Sequence, residues 1–295
     1  HLDYHKDMEA YFQAKRRLFT ENLSPGGLAV VNADDTYTNR VYNEMRQLKR
    51  QSWKFSRAGN GELSASNVEF TSSGIKATLK TPAGDIAVKS GLIGAHNLDN
   101  ILCAAGIALA FGSSRKDVQE GIERVTRVPG RMERVEKGGV TALVDYAHTD
   151  DALTRAVESA RAITKGKLII VFGCGGDRDK GKRPMMGEVA SQADLPIVTS
   201  DNPRTEDPDD IIQEIIPGLE KSGELRRMSP AKFKTGERGY LVEADRKAAI
   251  ALAISLAKPG DTVLIAGKGH ETYQEQDGVK KHFDDLEEAR KALGV

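Results

Sequence analysis

The second half of the sequence alternates short apolar runs with helical patterns, and this alternation limits the fold more than any other feature. The apolar runs are VTALVDY, KLIIVF, LPIVTS and DTVLIAG, and residues at helical spacing lie between them. Runs that are rich in β-branched residues and apolar at nearly every position predict strands buried on both faces. We therefore predict an α/β fold with a mostly parallel sheet and helices on both of its faces.

The first half of the chain has a different pattern. Residues 62–91 alternate apolar and polar side chains, which predicts antiparallel strands rather than a parallel sheet. The segment RVPGRM follows two helical patterns, and its Pro and Gly are typical of a linker. We therefore predict two domains, one over residues 1–130 and the other over residues 131–295.

Composition argues against several classes of protein. The 43 Lys and Arg residues equal the 43 Asp and Glu residues, so the chain lacks the overall positive charge of nucleic-acid-binding proteins. Two cysteines cannot form a disulfide framework and indicate a reducing compartment. No apolar run reaches membrane-spanning length, and no signal peptide opens the chain. We expect a cytoplasmic monomer that binds small molecules and neither nucleic acid nor membrane.

The segment GDRDKGK, from Gly176 to Lys182, is close to a phosphate-binding loop but departs from it where magnesium would bind. Such a loop has Ser or Thr at the next position, whereas this chain has Arg183, and Pro184 then removes a backbone N–H donor. A nicotinamide-dependent oxidoreductase would share the parallel sheet, but it needs a third glycine where Arg178 stands. The turn therefore serves a different ligand.

Four polar turns follow the predicted strands, namely DYAHTDD, GCGGDRDKGKR, SDNPRTEDP and GKGHE. Ligands of open α/β sheets bind at this edge, beyond the carboxyl ends of the strands. Groups of both charges suit a zwitterionic amino acid beside a phosphorylated group, and the alternative is that they are solvated loop charges. The cationic or hydrogen-bonding groups are Arg178, Lys180, Lys182, Arg183, Arg204, Lys268 and His270, and the acceptors are Asp145, Asp177, Asp201 and Glu271.

Nine motifs follow one another along the whole chain: HLDYH, AKRRLF, NADD, GAHNLDN, PGRME, DYAHT, FGCGGDRDKGKRP, SDNPRTEDP and AGKGHETYQ. With them the chain resembles the Mur ligases, most closely those that add meso-diaminopimelate to the dipeptide precursor of peptidoglycan. The resemblance implies an ATP-dependent acid–amino-acid ligase that uses Mg²⁺, forms an acyl phosphate and then a C–N bond. It also implies a Rossmann-like C-terminal domain, preceded by part of an α/β, P-loop-type central ATPase domain.

The resemblance further implies that the domain binding the uridine nucleotide, and the true P-loop, lie before His1, so that this chain alone is inactive. It implies roles for individual residues as well. The amino acid would be bound by Arg178, Asp201, Asn202, Pro203, Arg204, Gly267 and Glu271, and ATP by Asn97, Asn100, Arg131 and Asp145. His148 and Lys15 would be catalytic, and His1 and Lys15 would bind the metal. Lys15 would have to be carbamylated, because an ammonium group has no acceptor to offer a cation.

Substrate choice depends on Arg204 in this resemblance. Diaminopimelate differs from lysine by one distal carboxylate, which an arginine can bind with two parallel hydrogen bonds. We expect bound lysine to leave Arg204 unpaired, at a cost of roughly 3–5 kcal/mol. A ligand-binding fragment without activity, a lysine-adding ligase and a folylpolyglutamate-type ligase remain as alternatives. In HTDD we expect Asp150 to serve as the N-cap of the next helix.

Overall fold

The computed structural model describes residues 5–295, which form two compact units that divide between Thr126 and Arg127. His1, predicted to bind the metal, lies outside the described residues. The elements of the N-terminal unit are α1 (Met8–Thr20), β1 (Leu28–Asn32), α2 (Thr36–Gln47), β2 (Gln51–Ser56), β3 (Leu63–Thr71), β4 (Gly74–Lys80), β5 (Ile86–Ser90), α3 (Ala95–Ala110) and α4 (Arg115–Arg124).

The N-terminal unit contains a five-stranded sheet in the order β1-β2-β3-β4-β5. Strands β1, β2 and β3 are parallel, whereas β3, β4 and β5 pair in antiparallel fashion, so the antiparallel strands predicted over residues 62–91 are confirmed. Leu98, Leu102 and Ala105 of α3 are buried in the same core as these strands. Ser114 caps α4 and forms a reciprocal capping box with Asp117.

The C-terminal unit contains a six-stranded sheet in the order β10-β9-β8-β11-β7-β6, in which only β6 is antiparallel to its neighbour. The predicted parallel sheet is therefore confirmed. Its elements are β6 (Glu133–Lys137), β7 (Val140–Asp145), α5 (Asp150–Ile163), β8 (Leu168–Phe172), α6 (Lys182–Ala190), β9 (Leu195–Val198), α7 (Pro208–Glu220), α8 (Pro230–Lys234), β10 (Leu241–Val242), α9 (Arg246–Leu256), β11 (Thr262–Ala266), β12 (Tyr273–Gln276), β13 (Val279–His282) and α10 (Asp285–Leu293).

Strand β11 lies between β7 and β8 although it is later in the chain than both. Every residue of β7, β8, β9 and β11 is buried, as expected for parallel strands that helices cover on both faces. The N-cap of α5 is Thr149, whose side chain accepts from the N–H of Ala152, so the prediction of Asp150 at this position was wrong. Among residues 5–295, no helix combines the length and the apolar character needed to cross a membrane.

Two helical glycines have opposite environments, and replacing each with alanine should have opposite effects. A Cβ at Gly121 of α4 would have no other atom within 4 Å, so Gly121→Ala should raise the free energy of unfolding by about 0.5–1 kcal/mol. Gly187 of α6 faces the backbone of α7, where a Cβ would overlap the carbonyl oxygen of Ile215. Gly187→Ala should therefore lower that free energy by about 1–3 kcal/mol. Chemical denaturation of both variants tests this, and effects of the same sign would contradict it.

Candidate active site

The four polar turns predicted from the sequence follow β7, β8, β9 and β11, which are adjacent parallel strands in the C-terminal unit. All four turns therefore leave the same edge of one sheet. The turns after β8 and β9 are in direct backbone contact, because the N–H of Gly176 donates to the carbonyl of Asn202 at 2.9 Å. A Cβ at Gly176 would overlap the carbonyl oxygen of Pro203, so this approach requires glycine. Pro203 itself is buried.

Arg178 and Arg204 come from different turns but approach the same glycine. A Cβ at Gly175 would lie 2.9 Å from Nη1 of Arg204 and 3.8 Å from Cγ of Arg178. Arg178 is exposed, and Arg204 is half-buried. The structure thus brings these two predicted amino-acid-binding cations to one place at the sheet edge.

Arg204 is held by the β12–β13 hairpin as well as by the glycine-rich turn. Its backbone N–H donates to the carbonyl of Glu275 at 3.1 Å, and its carbonyl accepts from the N–H of Asp277 at 2.7 Å. Nη1 of Arg204 donates to the carbonyl of Gly176 at 2.8 Å, and its Nε lies 4.0 Å from the carboxylate of Glu275. The guanidinium therefore has partners of its own within the protein. Bound lysine would therefore not leave Arg204 without a partner. The cost of roughly 3–5 kcal/mol expected from the sequence is too large for that reason.

A chain of hydrogen bonds joins the turns after β9 and β11. The buried amide of Asn202 donates from Nδ2 to Glu271 at 2.8 Å, and its Oδ1 accepts from Nζ of Lys268 at 2.9 Å. The carboxylate of Glu271 also lies 3.5 Å from Nζ of Lys268. Burial lowers the pKa of the Lys268 ammonium, while the negative charge of Asp201 opposes that shift. Asn202 and Glu271, both predicted site residues, are thus in direct contact.

Asp201, on the turn after β9, and Gly267, on the turn after β11, are packed against each other. Gly267 has φ +125°, and a Cβ there would overlap Oδ2 of Asp201, so both the conformation and the space favour glycine. Asp201 is buried, and its backbone carbonyl accepts from the side-chain amide of Gln274 at 2.7 Å. These two predicted residues therefore shape the floor of the site.

Tyr146 is a central residue of the site that the sequence analysis did not single out. Its ring lies 4.6 Å from the ring of His148 and 5.1 Å from that of His270, and the guanidinium carbon of Arg131 lies 5.2 Å from its centroid. Its hydroxyl lies 3.5 Å from Oε1 of Glu271. Burial and, after it, the charge of Glu271 raise the pKa of Tyr146. The sequence did offer one signal for Tyr146, because it lies two residues before His148 in the motif DYAHT.

His148 and Asp145 belong to the same turn but differ in environment. His148 is exposed, and its Nδ1 lies 2.8 Å from the carbonyl of Tyr146. Asp145 is buried, and its two oxygens accept from the N–H groups of Met132 at 2.8 Å and Ala147 at 2.9 Å. Burial raises the pKa of Asp145, and these hydrogen bonds oppose that shift. The carboxylate therefore holds the turn that presents Arg131.

The charged turn after β8 is less available to a ligand than its sequence suggests. Arg183 is fully buried, with two N–H groups on Glu206 at 2.8 and 3.0 Å and one on Glu214 at 2.8 Å. Lys180 also pairs with Glu206, at 3.0 Å. The prediction that Arg183 supplies a cationic group to the ligand was therefore wrong. The same prediction for Lys180, whose side chain is 62% exposed, stays a prediction. Arg183 stabilises the turn, and Arg178 and Lys180 are exposed cations on it.

The N-terminal unit carries the remaining predicted residues. Asn97 is buried, donates from its amide to the carbonyl of Ile93 at 2.8 Å, and accepts from the amide of Asn100 at 3.2 Å. Lys15 is exposed on α1, with Nζ 5.4 Å from the ring centroid of Tyr11. Between residues 5 and 295, no three His, Cys, Asp or Glu side chains are grouped to hold a metal ion. Lys15 fits a magnesium site only if modification converts its ammonium into an acid.

Comparison with known proteins gives the family directly. Residues 1–108 match the Mur ligase middle domain, and residues 130–269 match the Mur ligase, glutamate ligase domain. UDP-N-acetylmuramoyl-L-alanyl-D-glutamate--2,6-diaminopimelate ligase of Geobacter metallireducens is 47% identical over 302 residues, which cover 99% of this chain and 58% of the relative. The ligase of the same name from Gloeobacter violaceus is 45% identical, over 99% of this chain and 56% of its own length. The chain thus spans little more than half the length of these relatives.

Solved structures agree with this result. A structure of a UDP-N-acetylmuramoyl-L-alanyl-D-glutamate--2,6-diaminopimelate ligase, 35% identical, superposes with a TM-score of 0.62 over 100% of this chain and 58% of that one. Folylpolyglutamate synthase of Mycobacterium tuberculosis reaches a TM-score of 0.71 at 19% identity, over 100% of this chain and 62% of its own. At that identity the second likeness shows the fold alone.

Proposed function

The chain belongs to the Mur ligase family, and we propose that its C-terminal unit binds meso-diaminopimelate for an ATP-dependent ligation in peptidoglycan synthesis. In this reaction the substrate carboxylate of UDP-MurNAc-dipeptide attacks the γ-phosphate of ATP, and the amine of the amino acid then displaces phosphate from the acyl phosphate. One observation carries the proposal. Arg178 and Arg204 converge at Gly175, and Asn202, from the same turn as Arg204, contacts the carboxylate of Glu271 on the turn after β11.

The two ends of diaminopimelate require opposite charges, and the site supplies both. Arg204 offers a planar fork of N–H donors to the distal carboxylate, with Arg178 as a second cation nearby. Glu271 offers a carboxylate oxygen to an ammonium group, and Asn202 and Tyr146 hold that carboxylate in place. Lysine has the ammonium groups but lacks the distal carboxylate, so the arrangement favours diaminopimelate over lysine.

In the N-terminal unit, we propose that Asn97 and Asn100 contact adenine. In the C-terminal unit, we propose that Arg131 and Asp145 bind the phosphates and ribose of the nucleotide and that His148 is catalytic. Carbamylated Lys15, with His1, would provide oxygen and nitrogen ligands to Mg²⁺, which neutralises charge on the transferring phosphoryl group when bound. Both stages of the reaction concentrate negative charge, so fixed cations and the metal supply most of the stabilisation.

A ligand-binding role without turnover is the second candidate for residues 1–295 by themselves. Residues 1–295 contain no GxxxxGK[ST] segment, and in the nearest match, GDRDKGK, Arg183 stands where Ser or Thr is required. We propose that this chain binds amino acid without hydrolysing ATP. Phosphate release from ATP in a pure sample would contradict that part of the proposal.

Calorimetric titration of residues 1–295 tests the amino-acid assignment. We expect heat of binding with meso-diaminopimelate and at least roughly tenfold weaker binding of L-lysine, because only the former places a carboxylate against Arg204. Pimelate, which has both carboxylates and no ammonium group, is the control for the acceptor end and should also bind more weakly. Equal affinity for diaminopimelate and lysine would contradict the proposal that meso-diaminopimelate is the substrate.

A further inference from the structure

Five ionisable side chains, from the turns after β9 and β11 and from the starts of α9 and α10, lie together, and we call them the buried array: Asp201, Arg246, Lys268, Glu271 and Asp285. The side chains of Arg246, Lys268 and Asp285 are fully buried, and those of Asp201 and Glu271 are 10% and 20% exposed. Burying so many charges is costly unless each is paired or hydrogen-bonded. Arg246 and Asp285 come from the starts of α9 and α10, and no role for them follows from the sequence motifs.

Arg246 is anchored on one side and leaves one corner of its guanidinium directed at the site. Its Nε and Nη2 donate to the two oxygens of Asp285 at 2.8 and 2.7 Å, and Nη2 also donates to the carbonyl of Ala266 at 3.0 Å. Within residues 5–295, Nη1 is buried without a hydrogen-bond partner. Nη1 lies 3.9 Å from Oδ2 of Asp201, so this charge acts on the carboxylate that packs over Gly267.

Lys268 fixes which way the amide of Asn202 points. Its Nζ and the backbone N–H of Glu275 both donate to Oδ1 of Asn202, at 2.9 and 3.0 Å. Two donors on one atom require that atom to be the oxygen, so the NH₂ group must face the other way. There it donates to Oε2 of Glu271 at 2.8 Å. The orientation of Glu271 therefore depends on a lysine whose own side chain is fully buried.

The charges of the array do not balance. Its three carboxylates face two cations, and Asp285 accepts two of the three hydrogen bonds that Arg246 donates within residues 5–295. The uncompensated negative charge therefore lies on Asp201 and Glu271, the two partly exposed members of the array. An arriving ammonium group supplies the missing positive charge, and in a partly desolvated site this attraction is stronger than in water.

We propose that Arg246 and Lys268 are positioning residues, which hold Asp201 and the Asn202–Glu271 pair ready to receive the ammonium group of the incoming amino acid. The identity of that amino acid rests on the proposed function, whereas the orientation of Asn202 can be read in the ligand-free protein. The two claims can therefore fail separately.

Lys268→Met is the first test, because methionine keeps much of the volume of the buried side chain without its charge. In nitrogen-15 NMR spectra of the ligand-free chain, the side-chain NH₂ signals of Asn202 should shift and exchange faster with solvent. The affinity for meso-diaminopimelate, measured by calorimetry, should fall by roughly tenfold or more, since Glu271 loses its fixed orientation. Unchanged Asn202 signals together with unchanged affinity would overturn the role of Lys268.

The double variant Arg246→Met/Asp285→Leu separates positioning from stability. Replacing a buried ion pair by apolar side chains of similar volume is often neutral for stability, so the thermal midpoint should stay close to that of the parent chain. Affinity for meso-diaminopimelate should nevertheless fall by roughly tenfold, because Asp201 loses the charge that faces it. Arg161→Met removes an arginine paired with Asp194 at 2.7 Å and should leave affinity unchanged.

The outcomes distinguish the two proposals. Unchanged affinity in the double variant, with the parent chain binding normally, would overturn the role of Arg246. If the parent chain does not bind meso-diaminopimelate but Lys268→Met still moves the Asn202 signals, the positioning role of Lys268 stands and the proposed substrate falls. If Lys268→Met does not fold, the affinity of the double variant for meso-diaminopimelate tests the positioning role instead.

Discussion

Replacing Arg204 with alanine is expected to weaken binding of meso-diaminopimelate by roughly 10–100-fold while changing the affinity for L-lysine little. The variant removes the planar fork of donors that we assign to the distal carboxylate, a group that lysine lacks. The measurement is calorimetric titration of the parent chain and the variant with both amino acids. In each protein the ratio of the two affinities measures the preference for diaminopimelate over lysine. The difference between the two ratios is the part of that preference that Arg204 provides.

The expected size follows from the surroundings of Arg204. Its side chain is 22% exposed, donates to the carbonyl of Gly176 and lies near the carboxylate of Glu275, so it is neither stranded nor fully desolvated without ligand. An exposed ion pair contributes less than a buried one, and this lowers the discrimination below the two to three decades that a buried, unpaired arginine would give.

Two further variants control for charge. Arg204→Lys keeps the charge but loses the fork of donors, so its affinity for diaminopimelate should be intermediate. Arg155→Ala, at an exposed ion pair with Asp151 on α5, makes the same change in net charge and should leave both affinities unchanged. Equal losses for diaminopimelate and lysine in Arg204→Ala would show that Arg204 supports the turn rather than selecting the substrate.

The position of the site at one edge of the sheet could be predicted, because it depends on patterns within short segments of the sequence. Strands such as β8 and β11 are apolar throughout, and this pattern by itself indicates parallel strands buried on both faces. The geometry of parallel sheets then places the turn after every such strand on one edge. The helices α3 and α4 before the predicted linker, and α5, α6, α7 and α9 between the predicted strands, are present for a similar reason, since apolar residues recur along one face of most of them.

Charge pairing could not be predicted because the partners lie far apart in the sequence. Arg183 looked like a solvated member of a basic run, yet Glu206 and Glu214, which are 23 and 31 residues away, bury it. Arg246 and Asp285 are 39 residues apart. A run of like charges in a sequence indicates a solvated surface when the opposite charges belong to another element. The pairing becomes visible only when the elements are packed together.

Short polar strands escaped prediction for a different reason. The hairpin of β12 and β13 has the sequences YQEQ and VKKH, which carry almost no apolar alternation. Their pairing is nevertheless part of the site, because the backbone of Arg204 bonds to Glu275 and Asp277. The sequence therefore located the turn that contains Arg204 but not the hairpin that holds its backbone.

Glu206→Gln is expected to lower the free energy of unfolding by about 3 kcal/mol at neutral pH. Arg183 is fully buried and makes two hydrogen bonds to Glu206, so the variant removes most of the charge that compensates the guanidinium. Glu214 still pairs with Arg183, which keeps the effect near the lower end for a broken buried pair. Glu214→Gln is the matched control, since that side chain is 40% exposed and should contribute about 1 kcal/mol or less.

The pH dependence of the same variant gives an independent check on the ion pair. The guanidinium of Arg183, more than any other neighbour, lowers the pKa of Glu206 from its usual 4.5 to about 2. A carboxyl whose pKa is lower in the folded state stabilises the fold above its unfolded pKa, and this contribution is lost as the pH falls toward the folded pKa. The difference in unfolding free energy between the parent chain and Glu206→Gln should therefore be constant above about pH 5.5, shrink as the pH falls below 4.5 and approach zero near pH 2. Urea denaturation at a series of pH values measures it, and a difference that persists unchanged at about pH 2.5 would mean that the loss comes from packing and not from the charge of Glu206.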